Sequence, residues 1–470
     1  MLKPGFLGRE VASATLGDPR RTRRLSGIIE RLARAPDKSF PQAMGDDDAA
    51  LEGFYRFVGS VDVEHTDVLA PHATQTAKRC AASRGRVVVA HDTTEFNFGR
   101  FHRKGLGHVG RGKSFGWYGH FSLAVEVDAK GSRTPLGVLS YEAISRDGVR
   151  KPHLKHGRNQ GNPANEALRW RRGVDDVREE LGATRVVHVM DREADDYALM
   201  AHMTQRDDRF VIRQYRRRAM GDGHDVRDAL DGTDFVVERE VPLSPRRPSD
   251  KPSYRRRFPE RRSRMAKLSF RAMPVRLGRP TTASDCPSSE LSLTLVQVVE
   301  RDVPEGEEPV EWWLWTNEPA QTPEQILAVV DAYRARWVIE EFFKALKTGC
   351  RVEERQLESE HALQNSIAIF IPIAWQLLLL RTLRSEEPAE QVLTKTQIDV
   401  LRKRSKVRGK RPFAALPTVR DAVLAIAALG GHLKHNGEPG WQVLARGFEE
   451  LLALEAGYLL AIATEDVINH

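Results

Sequence analysis

The spacing of apolar residues changes along the chain from a helical pattern to a strand-like one and back. Near the N-terminus, Asp18 and Pro19 begin a stretch, RRTRRLSGIIERLARA, with apolar residues at helical intervals, and DDDAALEGFYRFVGS repeats this pattern after Pro41. From about residue 86, β-branched runs predict the strands RVVVAHD, RVVHVM and RFVIRQ, and a hairpin in HFSLAVEVDAKGSRTPLGVLSYEAIS. After about residue 384 the helical pattern returns.

Two predicted helices, in NEALRWRRGVDDVREELG and READDYALMAHM, alternate with these strands, which indicates a mixed α/β sheet. Residues from about 216 to about 300 interrupt this order with further strand-like pieces and a mobile basic loop, PRRPSDKPSYRRRFPERRSRMAK. The strand EWWLWT then resumes the sheet, and Pro323 begins a long helix. We therefore predict a helical domain at 1–65, an α/β domain at 66–384 with a β-rich insertion at about 216–300, and a helical domain at 385–470.

Composition narrows the class of protein. The 470 residues are 40% hydrophobic and 29% charged, which is typical of a soluble globular protein, and the net charge of +8 favours a polyanionic partner. Three widely spaced cysteines indicate neither a disulfide framework nor a zinc site. The N-terminus has no signal-peptide pattern, and the apolar run Ile367–Leu380 is too short to span a bilayer, so we expect a cytoplasmic protein with no membrane partner.

Two aspartates end apolar runs that are predicted to be strands. Asp92 follows VVVAH and Asp191 follows VVHVM, and the ends of parallel strands converge on one edge of a sheet. Each has a simpler interpretation: Asp92 could begin a turn, and Asp191 could cap the next helix. Together with Glu340 they would supply the hard oxygen ligands of two Mg²⁺ ions about 4 Å apart, as in phosphodiester cleavage.

Glu340 lies in a helix, YRARWVIEEFFKALKTG, that carries five polar residues on one side. At 100° per residue they fall within a strip about 80° wide. The strip could be a solvated ladder of ion pairs or a surface that holds a metal ion and a phosphate together. Its members are Tyr333, Arg336, Glu340, Lys344 and Lys347.

These motifs, AHDTTEF, MDREADDY and the helix with its Tyr-x2-Arg-x3-Glu-x6-Lys spacing, resemble the three active-site motifs of DDE transposases of the insertion-sequence-four family and its YREK signature. The resemblance implies an RNase H-like core with Asp92, Asp191 and Glu340 as metal ligands. It also implies DNA contacts from the remaining residues of the strip, of which Tyr333, Arg336 and Lys347 would contact phosphates near the scissile bond.

Further residues take DNA-binding roles through the same resemblance. Arg213 matches a basic position beside the active site, and Trp312 matches a position where an aromatic ring accommodates an extruded base. In the N-terminal domain, LGDPRRTRRL and YRFV resemble the region that reads transposon ends. Without the resemblance, its arginines would be read as a solvated helix face. The arginines concerned are Arg20, Arg21, Arg24 and Arg56.

The resemblance implies a cut-and-paste reaction on double-stranded DNA. Two Mg²⁺ ions, for which Mn²⁺ could substitute, would support hydrolysis at the transposon end, and the 3′-OH would then form and reopen a hairpin before joining target DNA. No nucleotide cofactor is implied, and the enzyme would act in the bacterial cytoplasm, on the nucleoid when bound to DNA. The rival interpretations are an RNase H-like nuclease and a non-catalytic regulator derived from a transposase.

We expect a homodimer in the synaptic complex. The resemblance assigns pairing to the C-terminal domain, and in GWQVLARGFEELLALEAGYLLA apolar residues recur at helical intervals that would form the pairing face. These residues are Val443, Leu444, Phe448, Leu451, Leu452 and Leu459.

Overall fold

Five helices precede the first strand in a computed structural model that describes residues 5–110, 114–129, 131–146, 165–246, 259–383, 386–407, 413–433 and 437–468. Asp18 caps the second helix by accepting a hydrogen bond from the backbone N–H of Arg20, and Pro19 fills the first helical position, where no N–H is needed. The sequence pattern does not predict the fifth helix, which contains Pro71. The helices are α1 (Phe6–Glu10), α2 (Pro19–Arg34), α3 (Phe40–Met44), α4 (Asp48–Gly59) and α5 (His65–Ala82).

The described residues contain one mixed sheet of ten strands. Its central part has the order β4-β3-β1-β5-β6, in which β1, β5 and β6 are parallel and β3 is antiparallel to β1. This is the strand order of an RNase H-like core, so the predicted fold class is confirmed. The strands are β1 (Arg86–Asn97), β2 (Gly107–Val109), β3 (Ser114–Val127), β4 (Arg133–Ile144), β5 (Val187–Met190) and β6 (Arg209–Arg213). The intervening helices are α6 (Arg169–Leu181) and α7 (Tyr197–Gln205).

The predicted β-rich insertion extends the sheet instead of interrupting it. The strand that resumes after it, β10, pairs antiparallel with β6, and β9, β8 and β7 add to its other side in turn. The available edge of β10 explains this, because an unpaired strand edge accepts another strand. The predicted basic loop lies partly outside the described residues. The elements are α8 (Val226–Asp231), β7 (Val237–Leu243), β8 (Arg264–Gly278), β9 (Glu290–Arg301) and β10 (Glu311–Thr316).

Among the described residues, six α-helices follow the sheet. One of them, α11, is long and apolar enough to cross a membrane, but 94% of its most apolar window is buried inside the protein, as expected of a core helix. The apolar run that predicts a buried helix lies within it. The helices are α9 (Pro323–Ala335), α10 (Trp337–Lys344), α11 (Glu360–Thr382), α12 (Lys395–Val407), α13 (Val419–Leu429) and α14 (Trp441–Ile468).

The apolar face predicted for pairing on α14 is largely used inside the chain. Leu444, Phe448 and Leu451 are at most 5% exposed and pack in clusters that include residues of α12 and α13. Leu459, by contrast, is 50% exposed. The expectation that all six residues form one free face is therefore wrong, because the first half of α14 completes the core of the C-terminal helices.

One large hydrophobic cluster joins the N-terminal helices, the sheet and α11. It includes Leu25 of α2, Phe54 of α4, Val88 of β1 and Phe370 of α11, all fully buried. The N-terminal helices therefore share their core with the sheet that carries the candidate site. The domain boundaries given above remain predictions.

Candidate active site

Asp92 and Asp191 lie at the same level of two adjacent parallel strands. The last paired residues of β1 and β5 are Ala90 and Val189, and each aspartate follows two residues later. Asp191 follows the end of β5, but β1 continues past Asp92 to Asn97 because its antiparallel ladder with β3 extends that far. The expectation that Asp92 ends a strand is therefore wrong, although the two aspartates are brought together as predicted.

Each aspartate has one oxygen fixed by a nearby backbone amide. The N–H of Thr93 donates to Asp92 Oδ1 at 2.8 Å, and the N–H of Glu193 donates to Asp191 Oδ1 at 2.8 Å. In Asp191 this bond also caps a short 3₁₀-helix, so the capping interpretation of this residue is confirmed, and its catalytic role stays a prediction. A fixed oxygen restricts the orientation of the whole carboxylate.

The helix with the YREK spacing is present but irregular. Thr322 and Gln325 form a capping box at its start, as expected around Pro323. At Arg336 the chain tightens, since its N–H donates to the carbonyl of Tyr333 at 3.1 Å, which is a three-residue step. Residues Ala345–Gly349 then form one turn of π-helix, a feature frequent at functional sites. The strip predicted at a constant 100° per residue therefore changes direction at both points.

Arg336 links the helix to β1. Its guanidinium donates a hydrogen bond to Asp92 Oδ2 and lies 3.7 Å from Glu340 Oε1, measured from Nη1. The Arg336 and Asp92 side chains are only 13% and 15% exposed, so this is a largely buried contact between residues 244 positions apart. Two of the three predicted carboxylates thus meet at one cation.

Burial has the largest effect on the pKa values of the two residues at this contact. Burial raises the pKa of Asp92, with Glu340 and Asp191 adding to the effect and Arg336 opposing it, and the result is about 7. Burial acts to lower the pKa of Arg336, but Asp92, Tyr333 and Glu340 outweigh it, so that pKa is raised. The two shifts favour opposite states of the pair. An arginine keeps its charge in either case, so Asp92 is the member of the pair whose charge changes near neutral pH.

The two lysines of the strip have different surroundings. Lys347, in the π-turn, donates to the backbone carbonyl of Glu95 on β1 and lies 3.3 Å from Glu353 Oε1. Lys344 instead pairs with Glu341 at 2.7 Å and is 53% exposed. Lys347 therefore faces the strand that carries Asp92, whereas Lys344 lies in an exposed pair on the same helix. The DNA-binding roles of both stay predictions.

Tyr333, Trp312 and Arg213 form one cluster beside the carboxylates. The Trp312 and Tyr333 rings meet edge to face with centroids 5.5 Å apart, and the Arg213 guanidinium lies 6.0 Å from the Trp312 ring centroid. Burial raises the pKa of Tyr333, and Arg336 and Arg213 partly oppose it, so its hydroxyl remains protonated. The predicted aromatic and basic residues are thus adjacent, on β10, α9 and β6.

The N-terminal arginines lie on the surface and bond within their own region. Arg20 pairs with Asp18, Arg21 with Asp62 and Arg56 with Glu52. Arg24 is exposed and lines a shallow groove between α2 and α4. Their predicted contacts with DNA remain predictions.

The donor set suits a divalent cation in its chemistry. Within the described residues, no three carboxylate, imidazole or thiolate side chains are close enough to share one metal ion. Asp92 and Glu340 nevertheless converge on a positive group, Arg336, and burial, with Glu340 and Asp191 adding to it, raises the pKa of Asp92. Carboxylates of this kind fit Mg²⁺.

Sequence reasoning misses Arg169, the first residue of α6. Its three guanidinium nitrogens donate to Thr93 Oγ1, the Glu166 carbonyl and Glu193 Oε2, at 2.9, 2.8 and 2.8 Å. It thereby contacts Thr93, directly after Asp92, and Glu193, two residues after Asp191. In the sequence it is one of three arginines in RWRR, and nothing in that pattern distinguishes it.

Two segments of the chain match known protein families. Residues 4–63 match the family described as Transposase DNA-binding, and residues 171–371 match the family described as Transposase DDE domain. The second range contains Asp191, Glu340 and the YREK helix, whereas Asp92 and Arg169 lie before it. Among solved structures, the chain is similar to a piggyBac transposase synaptic complex with hairpin DNA, at 9% identity and a TM-score of 0.35, over 94% of this chain and 73% of that one. A likeness at this level does not bear on function.

Proposed function

We propose that this DDE transposase, which carries a transposase DNA-binding domain and a DDE domain, is a cut-and-paste enzyme of the insertion-sequence-four type. It would bind transposon ends, free the element by hydrolysis through a hairpin intermediate, and join the 3′-OH ends to target DNA. The observation that carries the proposal is the meeting of Asp92, from β1, and Glu340, from α10, at Arg336, with Asp191 at the end of the adjacent strand β5.

DDE transposase domains generally use divalent metal ions, and the carboxylates of this chain would hold them. When bound, Mg²⁺ would activate the attacking oxygen and stabilise the leaving one. The chain's own contribution is to orient the carboxylates. Thr93 and Glu193 fix one oxygen of each aspartate through backbone amides, and α10 brings Glu340 across the rim.

Arg336 and Lys347 would hold the DNA phosphates next to the scissile bond. In the structure, Arg336 neutralises Asp92 and Lys347 bonds a backbone carbonyl of β1. A phosphate offers Lys347 a stronger, charge-assisted hydrogen bond than a carbonyl does, and it offers Arg336 an anionic partner in place of Asp92. In this proposal Arg336 turns from Asp92 toward the phosphate when DNA and metal ions arrive, so the carboxylates become available only on the DNA complex.

Trp312 would support an extruded base. It is partly buried and packs against Tyr333, yet lies at the start of β10 beside Arg213. A base that leaves the duplex could stack on the indole and gain about 1–3 kcal/mol. Such support matters most when the DNA bends tightly into a hairpin.

The N-terminal arginines would bind the transposon ends, and two copies of the chain would pair in the synaptic complex. On α14, Leu459 is 50% and Ile462 38% exposed, and their spacing of three places them on one face of the helix. We assign pairing to this second half of α14. Leu459→Glu should abolish paired-end complexes in sedimentation measurements but leave single-end binding; Glu450, 46% exposed on the same helix, offers Glu450→Lys as the control.

The deciding experiment uses DNA from the two ends of the element that encodes the protein. Double-strand excision should require Mg²⁺ or Mn²⁺ and produce hairpin ends on the released element. A nuclease would cut without hairpins or strand joining, and a regulator would bind without cutting. Either outcome would contradict the proposed function.

A further inference from the structure

Arg169 connects the two segments that carry the catalytic aspartates. Its side chain is 13% exposed, at the start of α6, and all three of its nitrogens donate hydrogen bonds. Two of the acceptors are Thr93 Oγ1, directly after Asp92, and Glu193 Oε2, two residues after Asp191. One planar guanidinium thus spans the gap between the two motifs.

The acceptors are the same two residues that orient the aspartates. Thr93 donates its backbone N–H to Asp92 and accepts from Arg169 through its hydroxyl. Glu193 donates its backbone N–H to Asp191 and accepts from Arg169 through its carboxylate. Each aspartate is therefore linked to Arg169 through one intervening residue, Thr93 for Asp92 and Glu193 for Asp191.

Such a link is needed because the strand ladder ends before the aspartates. The last pair between β1 and β5 is Ala90 with Val189, and the chain leaves β5 at Met190. Beyond that point no backbone ladder between β1 and β5 sets the separation of Asp92 and Asp191 within the described chain. The side chain of Arg169 supplies a connection where the backbone does not.

The buried half of this connection is the stronger one. Thr93 Oγ1 also bonds the buried His120 at 2.9 Å, so the hydroxyl is fixed from both sides. The Glu193 side chain is 64% exposed, and solvent weakens an ion pair there. Changes at Thr93 should therefore matter more than changes at Glu193.

We propose that Arg169 is a positioning residue that sets the spacing between the Asp92 and Asp191 carboxylates and thereby the affinity of the site for divalent cations. The proposal rests on the proposed function, since it treats both aspartates as cation ligands. Residues that orient ligands in this way contribute about 10- to 100-fold to metal affinity or activity.

The test measures Mn²⁺ binding to the full-length protein on uncut end DNA, by calorimetry, beside gel shifts and melting temperatures. Arg169→Gln should weaken Mn²⁺ binding about tenfold or more and leave end binding unchanged. Arg169→Lys should be intermediate, because an ammonium keeps the charge but not the planar fork. Arg171→Gln is the matched control, since Arg171 lies on the same helix and is 53% exposed.

Thr93 provides a second pair of variants in case Arg169→Gln does not fold. Thr93→Val removes the hydroxyl and should weaken Mn²⁺ binding, whereas Thr93→Ser keeps it and should restore binding. Wild-type Mn²⁺ affinity in Arg169→Gln or Thr93→Val, or full rescue by Arg169→Lys, would overturn the proposal. If Asp92→Asn and Asp191→Asn also bind Mn²⁺ and cut normally, the proposed site itself is wrong; if they fail while Arg169→Gln does not, only the role of Arg169 is.

Discussion

The rim, formed by Asp92, Asp191, Glu340 and Arg336, and the N-terminal helices both carry charged residues for which we propose roles on DNA, but the surroundings of these residues differ. At the rim, Arg336 and Asp92 are at most 15% exposed and come from positions 244 residues apart. In the N-terminal region, Arg20 is 80% exposed and pairs with Asp18, two residues away. The rim is a tertiary arrangement, whereas the N-terminal arginines lie on the surface of a local element.

This difference in burial predicts different functions for the two regions. Burying charge is costly unless it is paired, so the rim groups are retained at an energetic cost and their pKa values shift. Exposed arginines cost little and act on DNA through phosphate charge, over a range set by salt. We therefore expect the rim to govern chemistry and the N-terminal region to govern affinity. The following changes test that division.

The largest expected effect is the loss of cleavage when a rim carboxylate is neutralised. Asp92→Asn, Asp191→Asn or Glu340→Gln should each reduce end cleavage by about a thousandfold or more, because each removes a ligand charge from the metal site. Gel-shift affinity for end DNA should survive. Asp207→Asn, at a surface residue that is 69% exposed, is the control. Substantial metal-dependent cutting by any rim variant would remove that residue from the site.

Hairpin formation should depend on Trp312. Trp312→Ala should slow hairpin formation about 10- to 100-fold relative to nicking, because an extruded base loses its stacking partner. Trp315 of the same strand is fully buried, so Trp315→Ala serves as the core control and should lower the melting temperature and every step together. If Trp312→Ala behaves like Trp315→Ala, Trp312 belongs to the hydrophobic core and has no separate role in hairpin formation.

Much of this rim is predictable from sequence, but its detailed geometry is not. Strand and helix patterns place Asp191 after β5 and Glu340 in the helical segment that follows Pro323; both lie there, although a break at Arg336 puts Glu340 on α10 instead of α9. Local pattern does not reveal that β1 runs past Asp92, because the ladder with β3 is a long-range interaction. The local pattern also does not predict the π-turn that contains Lys347.

The same limit explains what the pattern leaves out. The β-rich insertion at about 216–300 is predicted, but its pairing with the main sheet is not, since nothing local shows that β10 offers β9 an edge. The apolar residues of α14 read as a pairing face, since periodicity does not tell which partner covers it. Arg169 is missed for a related reason: its hydrogen bonds form only where α6 meets the segments that contain Thr93 and Glu193.

A smaller effect should appear in the pH dependence of stability. The pKa of Asp92 is raised from 3.8 to about 7, so the contribution of this group is fully present below pH 3.8 and is lost as pH rises through about 7. Between pH 6 and 8 the metal-free, DNA-free protein should lose about 1 kcal/mol relative to Asp92→Asn. Urea unfolding of both proteins at several pH values measures this difference. If the stability of the two proteins changes with pH in the same way, the pKa of Asp92 is not raised in the folded protein.

The smallest expected effect concerns a single N-terminal arginine. Arg24 and Arg23 are both exposed on α2, but Arg24 lines the groove beside α4 and lies one turn from Arg20. If this face contacts phosphates, Arg24→Gln should weaken end binding a few-fold and reduce the slope of log affinity against log salt by about one unit. Arg23→Gln, on the neighbouring face, should change the slope less. The cleavage rate at saturating protein should stay at the wild-type value in both, because neither residue reaches the rim. A reduced rate with an unchanged slope would instead tie the N-terminal helices to the chemistry and end the separation of roles between the two regions.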